Sequence, residues 1–385
     1  MPILSIVIPT KNRHRYLAQL IASLLRMESR DFEIVVHDNS EDNSEYRRLC
    51  GSLADERLRY FADPAPLAIA ENCERAVSLA TGTFVCMIGD DDGVLESAID
   101  LARWMEVNGI DAAVGAKPTY LWPGVSSVLD GPQTQGILRL PRCTDTIEVR
   151  DEAAALRGVL RSGGIKMGEL PSVYHGIVSR RALDALKQLS GTYFPGPSPD
   201  IANAVGVSAV IDRFASVGRP VVVSGNCTSS AAAEGARHAH EGEIADKRFL
   251  APDTAARWPA QVPFYFSGPT LYAATVIHAL SATGRAALLR DMRFERLYAA
   301  CVVFNPAYRQ RVAAARARVP GLVTSLGMVG GIGWIWWLRA RALAGNLFHK
   351  FTAGLWSERR IAGLEDIGAV IGYLTRRFGP YRAGE

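Results

Sequence analysis

The sequence contains few cysteines, and they are widely separated. The six cysteines stand at positions 50, 73, 86, 143, 227 and 301, and no C-x-x-C motif occurs. Cysteines that bind zinc or build a disulfide scaffold usually recur at short, regular spacings. The observed spacing therefore argues against both, and we expect reduced thiols.

Several common nucleotide-binding and nucleophile motifs are also absent. No G-x-G-x-x-G follows the first apolar run, and the chain has neither a G-x-x-x-x-G-K-[ST] loop nor a G-x-S-x-G elbow. Each of these motifs builds a specific phosphate-binding loop or an exposed serine nucleophile. The sequence therefore gives no support to a dinucleotide oxidoreductase, a P-loop kinase or an α/β-hydrolase.

The amino terminus lacks the features of a leader or an anchor. No basic residue precedes the apolar run of MPILSIVIPTKNR, and charged residues follow after only ten positions. Secretory signals begin with a basic segment, and a spanning helix needs about 20 apolar residues. We therefore predict neither, and expect the chain to work in the cytoplasm or at the inner face of the plasma membrane.

Positive charge is concentrated near the carboxyl end. Residues 285–385 contain sixteen Lys or Arg and six Asp or Glu, whereas residues 1–284 contain 27 and 33. The uncharged stretch 319–338 holds five glycines and three tryptophans, and Arg339 and Arg341 follow it. Tryptophan beside arginine is typical of a membrane interface. We prefer a peripheral membrane contact around 319–350 to nucleic acid as a partner, with a spanning helix and a buried helix as alternatives.

Strand and helix patterns alternate through the first third of the chain. Short β-branched or aromatic runs predict strands at 4–9, 32–38, 57–62, 83–90 and 111–116. Helical periodicity predicts helices at 14–27, 44–54, 68–80 and 95–107. This alternation predicts an α/β fold with a mostly parallel sheet flanked by helices. Its ligands should bind at the carboxyl ends of the strands, where the polar residues Thr10, Asn12, Asp38, Asn39 and Asp90 to Asp92 are expected to collect.

The pattern changes after residue 117. The segment 117–136 is rich in proline, glycine and serine, which predicts a hairpin or a long loop. Further elements are predicted as helices at 151–162 and 200–214, strands at 173–179 and 221–226, and helices through 270–315. The length of 385 residues and the 48% hydrophobic content are those of a globular protein with about two to three domains.

Three consecutive carboxylates follow the fourth predicted strand. Asp90, Asp91 and Asp92 lie in the segment GDDDG. Ionised neighbours repel by a few kcal/mol at short range, and hard divalent cations prefer carboxylate oxygens. The triplet therefore indicates a metal site, the alternative being one helix-capping aspartate beside two solvated ones.

Together, four segments resemble the inverting family 2 glycosyltransferases of the GT-A fold. They are SIVIPTKNR, EIVVHDNSEDNS, the run from Asn72 to Gly82, and GDDD. The resemblance covers about 3–116 closely and 170–225 loosely. It implies a GT-A-like, Rossmann-like sheet and a nucleotide-sugar donor.

The resemblance also implies roles for individual residues. In this family the residues that match Thr10, Asp38 and Arg75 hold the nucleoside, while those that match Asp90 and Asp92 hold ribose, diphosphate and Mg²⁺ or Mn²⁺. The predicted nucleotide-sugar contacts are Pro9, Thr10, Asn12, Arg13, Asp38, Asn72, Arg75, Asp90 and Asp91. Taken singly, several of these are equally compatible with helix caps, turns or solvated surface.

Asp200 is the predicted catalytic base. It follows the loop PGPSPD where the family places its base carboxylate, although Pro199 stands where many relatives have a second acid. An N-cap role is the alternative, and Asp212 and Glu169 are fallback candidates for the base.

A loop at 228–243 holds His238 and His240 and is predicted to be mobile. It is a possible lid over the donor, or simply a solvated loop. The acceptor motif Q-x-x-R-W of processive synthases is absent, because Thr254 stands three residues before Arg257 and Trp258. Transfer of a single sugar is therefore favoured.

We predict a catalytic domain at 1–245, with a nucleotide-sugar half at 1–116 and an acceptor half with lid at 117–245, and a helical basic region at 246–385. The predicted function is metal-dependent, inverting transfer of one sugar to a glycan or lipid-linked acceptor in cell-surface polysaccharide biosynthesis. A sugar nucleotidyltransferase and a non-catalytic nucleotide-sugar-binding protein are the alternatives.

Overall fold

The computed structural model describes residues 1–127, 131–132, 135–228, 241–319, 325–351 and 359–379. Its strands are β1 Leu4–Thr10, β2 Phe32–Asp38, β3 Leu58–Ala62, β4 Phe84–Met87, β5 Gly93–Val94, β6 Ala112–Ala116, β7 Thr119–Leu121, β8 Ser126–Ser127, β9 Gly131–Pro132, β10 Gly136–Leu140, β11 Ile147–Asp151, β12 Gly176–Ser179, β13 Arg213–Pro220, β14 Val222–Asn226 and β15 Arg359–Leu364.

The helices are α1 His14–Leu25, α2 Ser44–Ser52, α3 Ile69–Ser78, α4 Ser97–Asn108, α5 Glu152–Arg161, α6 Arg180–Ser190, α7 Pro199–Val207, α8 Gly268–Ala282, α9 Phe294–Phe304, α10 Arg309–Arg316, α11 Ser325–Phe351 and α12 Ile367–Phe378. Short 3₁₀ segments connect some of the later helices. The helical carboxyl-terminal region is confirmed, with β15 as the strand within it.

An eight-stranded sheet forms the centre of the fold. Its strand order is β11-β13-β6-β12-β4-β1-β2-β3, and β12 and β11 run against the other six strands. The alternation of side chains along β1 explains the layering: Ile6 and Ile8 pack with α1 and α4, while Val7 packs with α3 and α6 on the opposite face. The mostly parallel α/β sheet is confirmed.

A five-stranded sheet, ordered β15-β10-β7-β14-β5, lies beside the central one. Helix α12 packs on it through Ile367, Val370 and Leu374. We call the segment Asp90 to Asp92 the acidic turn. The last described elements of the chain therefore pack against strands that follow this turn in the sequence. The domain boundary at 245/246 stays a prediction.

Two predicted elements differ from the structure. The helix predicted at 200–214 ends at Val207, and Arg213–Pro220 is strand β13 between β11 and β6. Phe214, Ala215 and Val217 are buried there in contact with the neighbouring layers, so tertiary packing decides the conformation. The strand predicted at 173–179 begins only at Gly176, because His175 adopts a left-handed backbone conformation with φ 62°.

The uncharged segment belongs in part to helix α11, which packs against α9. Gly331 permits the close approach, since a Cβ there would lie 2.6 Å from the backbone oxygen of Glu295. No helix within the described part of the chain is both long and apolar enough to cross a membrane.

Candidate active site

The acidic turn lies where two parallel strands end. Strands β1 and β4 are neighbours in register, and Thr10 closes β1. Its hydroxyl oxygen donates to Asp90 Oδ2 at 2.5 Å. The structure therefore brings together two residues that the sequence places 80 positions apart, as the carboxyl-edge argument predicted.

Arg13 forms ion pairs with the first two carboxylates of the turn. Its Nε lies 3.1 Å from Asp90 Oδ1, and its Nη2 lies 2.8 Å from Asp91 Oδ2. Burial tends to lower the pKa of Arg13, but Asp90 and Asp91 raise it above its ordinary value. Arg13 thus carries a fixed positive charge against both aspartates.

Asp92 is held by three donors. Its Oδ2 accepts from the backbone N–H of Gly89 at 2.6 Å and from His175 Nε2 at 2.6 Å. Its Oδ1 accepts from the backbone N–H of Gly225 at 2.7 Å, on β14. The second sheet therefore fixes the orientation of this carboxylate directly.

The three carboxylates remain short of positive charge in spite of these contacts. Asp90, Asp91 and Asp92 are 2%, 4% and 1% exposed. Burial first, and then Asp91, raises the pKa of Asp90 to about 7, against the opposing effect of Arg13. Burial and Asp92 raise the pKa of Asp91. Asp90 Oδ1 is buried and accepts no hydrogen bond from the described residues.

Asp38 lies at the same edge, at the end of β2, and is fully buried. Its oxygens accept from Tyr60 Oη at 2.5 Å, from His14 Nε2 at 2.7 Å and from the backbone N–H of Ser40 at 2.9 Å. Burial tends to raise its pKa, but donors from Ser40, Tyr60 and His14 lower it. Asp38 is therefore an ionised acceptor beside the loop that follows β1.

Two asparagines that were predicted to contact the nucleotide-sugar make hydrogen bonds at the loop after β1. Asn12 has φ 56°, and its backbone N–H donates to Ser40 Oγ at 2.7 Å. Asn72 donates to the carbonyl of Thr10 at 3.2 Å, and its Oδ1 accepts from His37 Nδ1 at 2.7 Å. These contacts tie the ends of β1 and β2 to helix α3.

Pro9 and Arg75 are the two other residues that were predicted to contact the nucleotide-sugar. Pro9 is a half-buried residue of β1. Arg75, on α3, is half exposed and forms an ion pair with Asp63, so its contacts with the described residues do not join it to the acidic turn. Both assignments stay predictions.

Asp200 lies in the first turn of α7, and each of its carboxylate oxygens accepts a hydrogen bond from a hydroxyl group. Ser198 Oγ donates to Oδ1 at 2.6 Å, and Tyr272 Oη, from α8, donates to Oδ2. Asp200 and Asp92 both raise the pKa of Tyr174, where burial is the larger cause. Asp200 is therefore electrostatically close to the residues around the acidic turn.

The two fallback bases lie elsewhere. Glu169 is exposed and pairs with Arg150 on the edge strand β11 at 2.5 Å. Asp212 is exposed in the turn before β13. Their contacts connect neither of them to the acidic turn. The predicted lid residues His238 and His240 lie outside the described residues.

Lys117, His175 and Tyr272 are among the residues of the site that were not predicted from the sequence. Lys117 follows β6, and His175 precedes the antiparallel strand β12, so both reach the same edge as β4. Their proximity depends on the strand order, which the local sequence pattern does not contain. Tyr272 comes from a helix 72 positions after Asp200, and only the position of α8 brings the two together.

A family model matches the segment that builds most of this site. Residues 5–162 match the model described as Glycosyl transferase family 2. This segment is therefore similar to family 2 glycosyltransferase domains. It accounts for fewer than half of the 385 residues.

Sequence relatives are glycosyltransferases as well. The chain is 33% identical over 101 residues to a GalNAc(5)-diNAcBac-PP-undecaprenol β-1,3-glucosyltransferase of Campylobacter jejuni, an alignment that spans 26% of this chain and 33% of that protein. It is 33% identical over 104 residues to a PGL/p-HBAD biosynthesis glycosyltransferase of Mycobacterium bovis, spanning 26% and 40%. The chain thus spans about a third to two fifths of the length of these relatives.

Solved glycosyltransferases overlap with the structure only weakly. TarS of S. aureus in complex with UDP-GlcNAc has 15% identity and a TM-score of 0.43, covering 59% of each chain. The mannosyltransferase PcManGT of Pyrobaculum calidifontis, in complex with GDP-Man and Mn²⁺, has 16% identity and a TM-score of 0.42, covering 98% of this chain and 87% of that one. The similarity to family 2 glycosyltransferases therefore rests on the family model and the sequence relatives.

We expect Gly225→Ala to disrupt the acidic turn. A Cβ at this position would collide with the backbone carbonyl of Asp91, so β14 must move and Asp92 loses a hydrogen bond. The free energy of unfolding should fall by about 1–3 kcal/mol, measured by urea denaturation. The control is Gly158→Ala on the exposed face of α5, where a Cβ meets nothing within 4 Å. Equal stability of the two variants would contradict this role of Gly225.

Proposed function

We propose that the protein is a metal-dependent inverting glycosyltransferase that moves one sugar from a nucleotide-sugar to a glycan or lipid-linked acceptor. The single observation that supports this most is the buried turn of Asp90, Asp91 and Asp92 inside a family 2 domain. The same match favours sugar transfer over the nucleotidyltransferase alternative.

The donor would bind along the carboxyl edge of β1, β2 and β4. Asp38 is ionised and lies at the end of β2. Its oxygen would accept a hydrogen bond from a base N–H or a ribose hydroxyl, which would replace a present donor such as Tyr60. Thr10 and Arg13 fix Asp90 and Asp91 for the ribose and the diphosphate. The proposed contacts of the donor are Pro9, Thr10, Asn12, Arg13, Asp38, Asn72, Arg75, Asp90 and Asp91.

The acidic turn fits a cation that the substrate helps to hold. No three Asp, Glu, His or Cys side chains in the described ranges form a metal site by themselves. Mg²⁺ is often bound by one or two carboxylates together with substrate phosphates. Asp90 Oδ1 accepts no hydrogen bond from the described residues, although Arg13 Nε lies 3.1 Å from it. The raised pKa values of Asp90 and Asp91 indicate that Arg13 does not fully compensate the buried negative charge. Asp90 and Asp92 are the proposed ligands.

Bound Mg²⁺ or Mn²⁺ would neutralise charge on the departing nucleoside diphosphate. Asp200 would accept the proton of the acceptor hydroxyl while that oxygen bonds to the anomeric carbon. The bond from this carbon to the phosphate oxygen breaks with its electron pair leaving on the diphosphate. A single displacement from the opposite side inverts the anomeric configuration. Ser198 and Tyr272 would orient the Asp200 carboxylate toward the acceptor.

The acceptor class is proposed from the relatives and from the charge of the chain. One relative bears undecaprenol pyrophosphate in its name. Trp336 and Trp337 on α11 are 55% and 54% exposed, and Arg339 and Arg341 lie over their respective rings. We propose that this face rests on anionic lipid at the cytoplasmic side of a membrane and that the enzyme serves cell-surface polysaccharide assembly.

Substitution of the two key carboxylates tests the catalytic assignment. Asp92→Asn and Asp200→Asn should each lower kcat, and loss of a general base alone costs about 10²- to 10⁴-fold. Turnover is measured as release of nucleoside diphosphate from a panel of UDP- and GDP-sugars with Mn²⁺. Nucleotide binding should survive in Asp200→Asn. Asp184→Asn on the surface of α6 is the control; full turnover in both site variants would refute the assignments.

Cation binding should strengthen as the pH rises. Burial raises the pKa of Asp90 to about 7, so the carboxyl is protonated below that pH and available as a ligand above it. The affinity for Mn²⁺ in the presence of UDP should therefore increase from about pH 6 to about pH 8, measured by calorimetry. Asp90→Asn should bind more weakly and flatten the pH dependence. A wild-type affinity that does not change over this range would contradict the assignment.

Vesicle binding tests the membrane face. The full-length protein should partition onto vesicles with phosphatidylglycerol more than onto phosphatidylcholine alone. Each surface arginine contributes about 1 kcal/mol, so Arg339→Gln with Arg341→Gln should weaken binding roughly thirtyfold. Phe264→Ser, which removes an exposed aromatic outside α11, is the control. Equal partitioning of all three proteins would remove the membrane claim.

A further inference from the structure

Lys117 is a cation in the candidate site that contacts a histidine. It follows β6 at the carboxyl edge of the central sheet, and its Nζ lies 3.2 Å from Nδ1 of His175. Among the residues that the structure describes, no carboxylate lies within ion-pair distance of it. Within the described ranges, its positive charge is therefore not paired with a carboxylate as that of Arg13 is.

His175 fixes the position of the ammonium group. The imidazole accepts from Lys117 at Nδ1 and donates to Asp92 at Nε2, which assigns the proton to Nε2. The ring is buried and stacks on Tyr174 with centroids 3.8 Å apart. Because an ammonium has three N–H donors, the contact with His175 leaves two for a ligand.

The surroundings of Lys117 join the two halves of the site. Burial lowers its pKa, although the side chain keeps an exposed surface, and both Asp92 and Asp200 oppose this effect. Lys117 is thus within electrostatic range of the proposed donor-side carboxylate and of the proposed base. A ligand that spans from one carboxylate to the other would pass near its amine.

We propose that Lys117, held in place by His175, binds a phosphate oxygen of the donor's diphosphate. This inference rests on the proposed function. Lysine binds phosphate as a compact point charge, and its hydrogen bonds to an anion are stronger than neutral ones. Such a contact strengthens as negative charge develops on the departing nucleoside diphosphate, so Lys117 would stabilise the leaving group.

The test compares diphosphates with nucleosides lacking phosphate. Affinities of UDP, GDP, uridine and guanosine are measured by calorimetry with Mg²⁺ for the full-length wild type and Lys117→Met. Loss of a charged hydrogen bond should weaken binding of the preferred diphosphate roughly 10- to 100-fold and leave its nucleoside unchanged. Lys166→Met, at an exposed lysine, is the matched control, and Lys117→Arg should restore part of the affinity.

The outcomes separate this inference from the proposed function. If the wild type binds a diphosphate and Lys117→Met binds it equally well, the role of Lys117 is refuted while the donor proposal stands. If the wild type binds none of the four compounds, the proposed donor class fails as well. Farnesyl pyrophosphate serves as a lipid-linked phosphate without a nucleoside. If Lys117→Met loses affinity only for farnesyl pyrophosphate, Lys117 does not bind the donor, and its phosphate contact belongs to a lipid-linked acceptor instead. Lys117→Gln replaces Lys117→Met if the latter lowers Tm.

Discussion

Burial of three adjacent carboxylates is the constraint on which the rest of this site depends. Like charges at such spacing repel by a few kcal/mol, and burial increases the penalty. The chain offsets this with Arg13 against Asp90 and Asp91, and with backbone N–H donors against Asp91 and Asp92. Those donors come from the β14 segment, so the acidic turn requires a strand more than 120 residues later in the chain.

The same dependence extends to the end of the described chain. Strand β14 pairs with β5 and β7, and β10 pairs with both β7 and β15. Helix α12 then packs against Gly93, where Ile367 and Ile371 fill the space next to the turn. The segment matched by the family model therefore does not complete the site alone. The orientation of the acidic turn also depends on residues from the second sheet and from the carboxyl-terminal region.

The parts predicted from the sequence are those governed by local periodicity. Alternating apolar runs gave the strands and helices up to residue 116, and the rule for strand ends placed Thr10 beside Asp90. The helix predicted at 200–214 was wrong beyond Val207, since burial against neighbouring strands decides the conformation of Arg213–Pro220. His175 reaches Asp92 only through an antiparallel strand and a left-handed backbone, neither of which has a local signal.

Charge in the site is divided between two cations with different environments. Arg13 is tied to two carboxylates by contacts that persist without any ligand, and its guanidinium cannot lose its proton in a protein. Among the described residues, Lys117 is held by the imidazole of His175, and it lies within electrostatic range of Asp200. A dianionic ligand that entered would find Arg13 already compensated and Lys117 not. The difference makes Arg13 a component of the acidic turn and leaves Lys117 as the cation suited to a substrate.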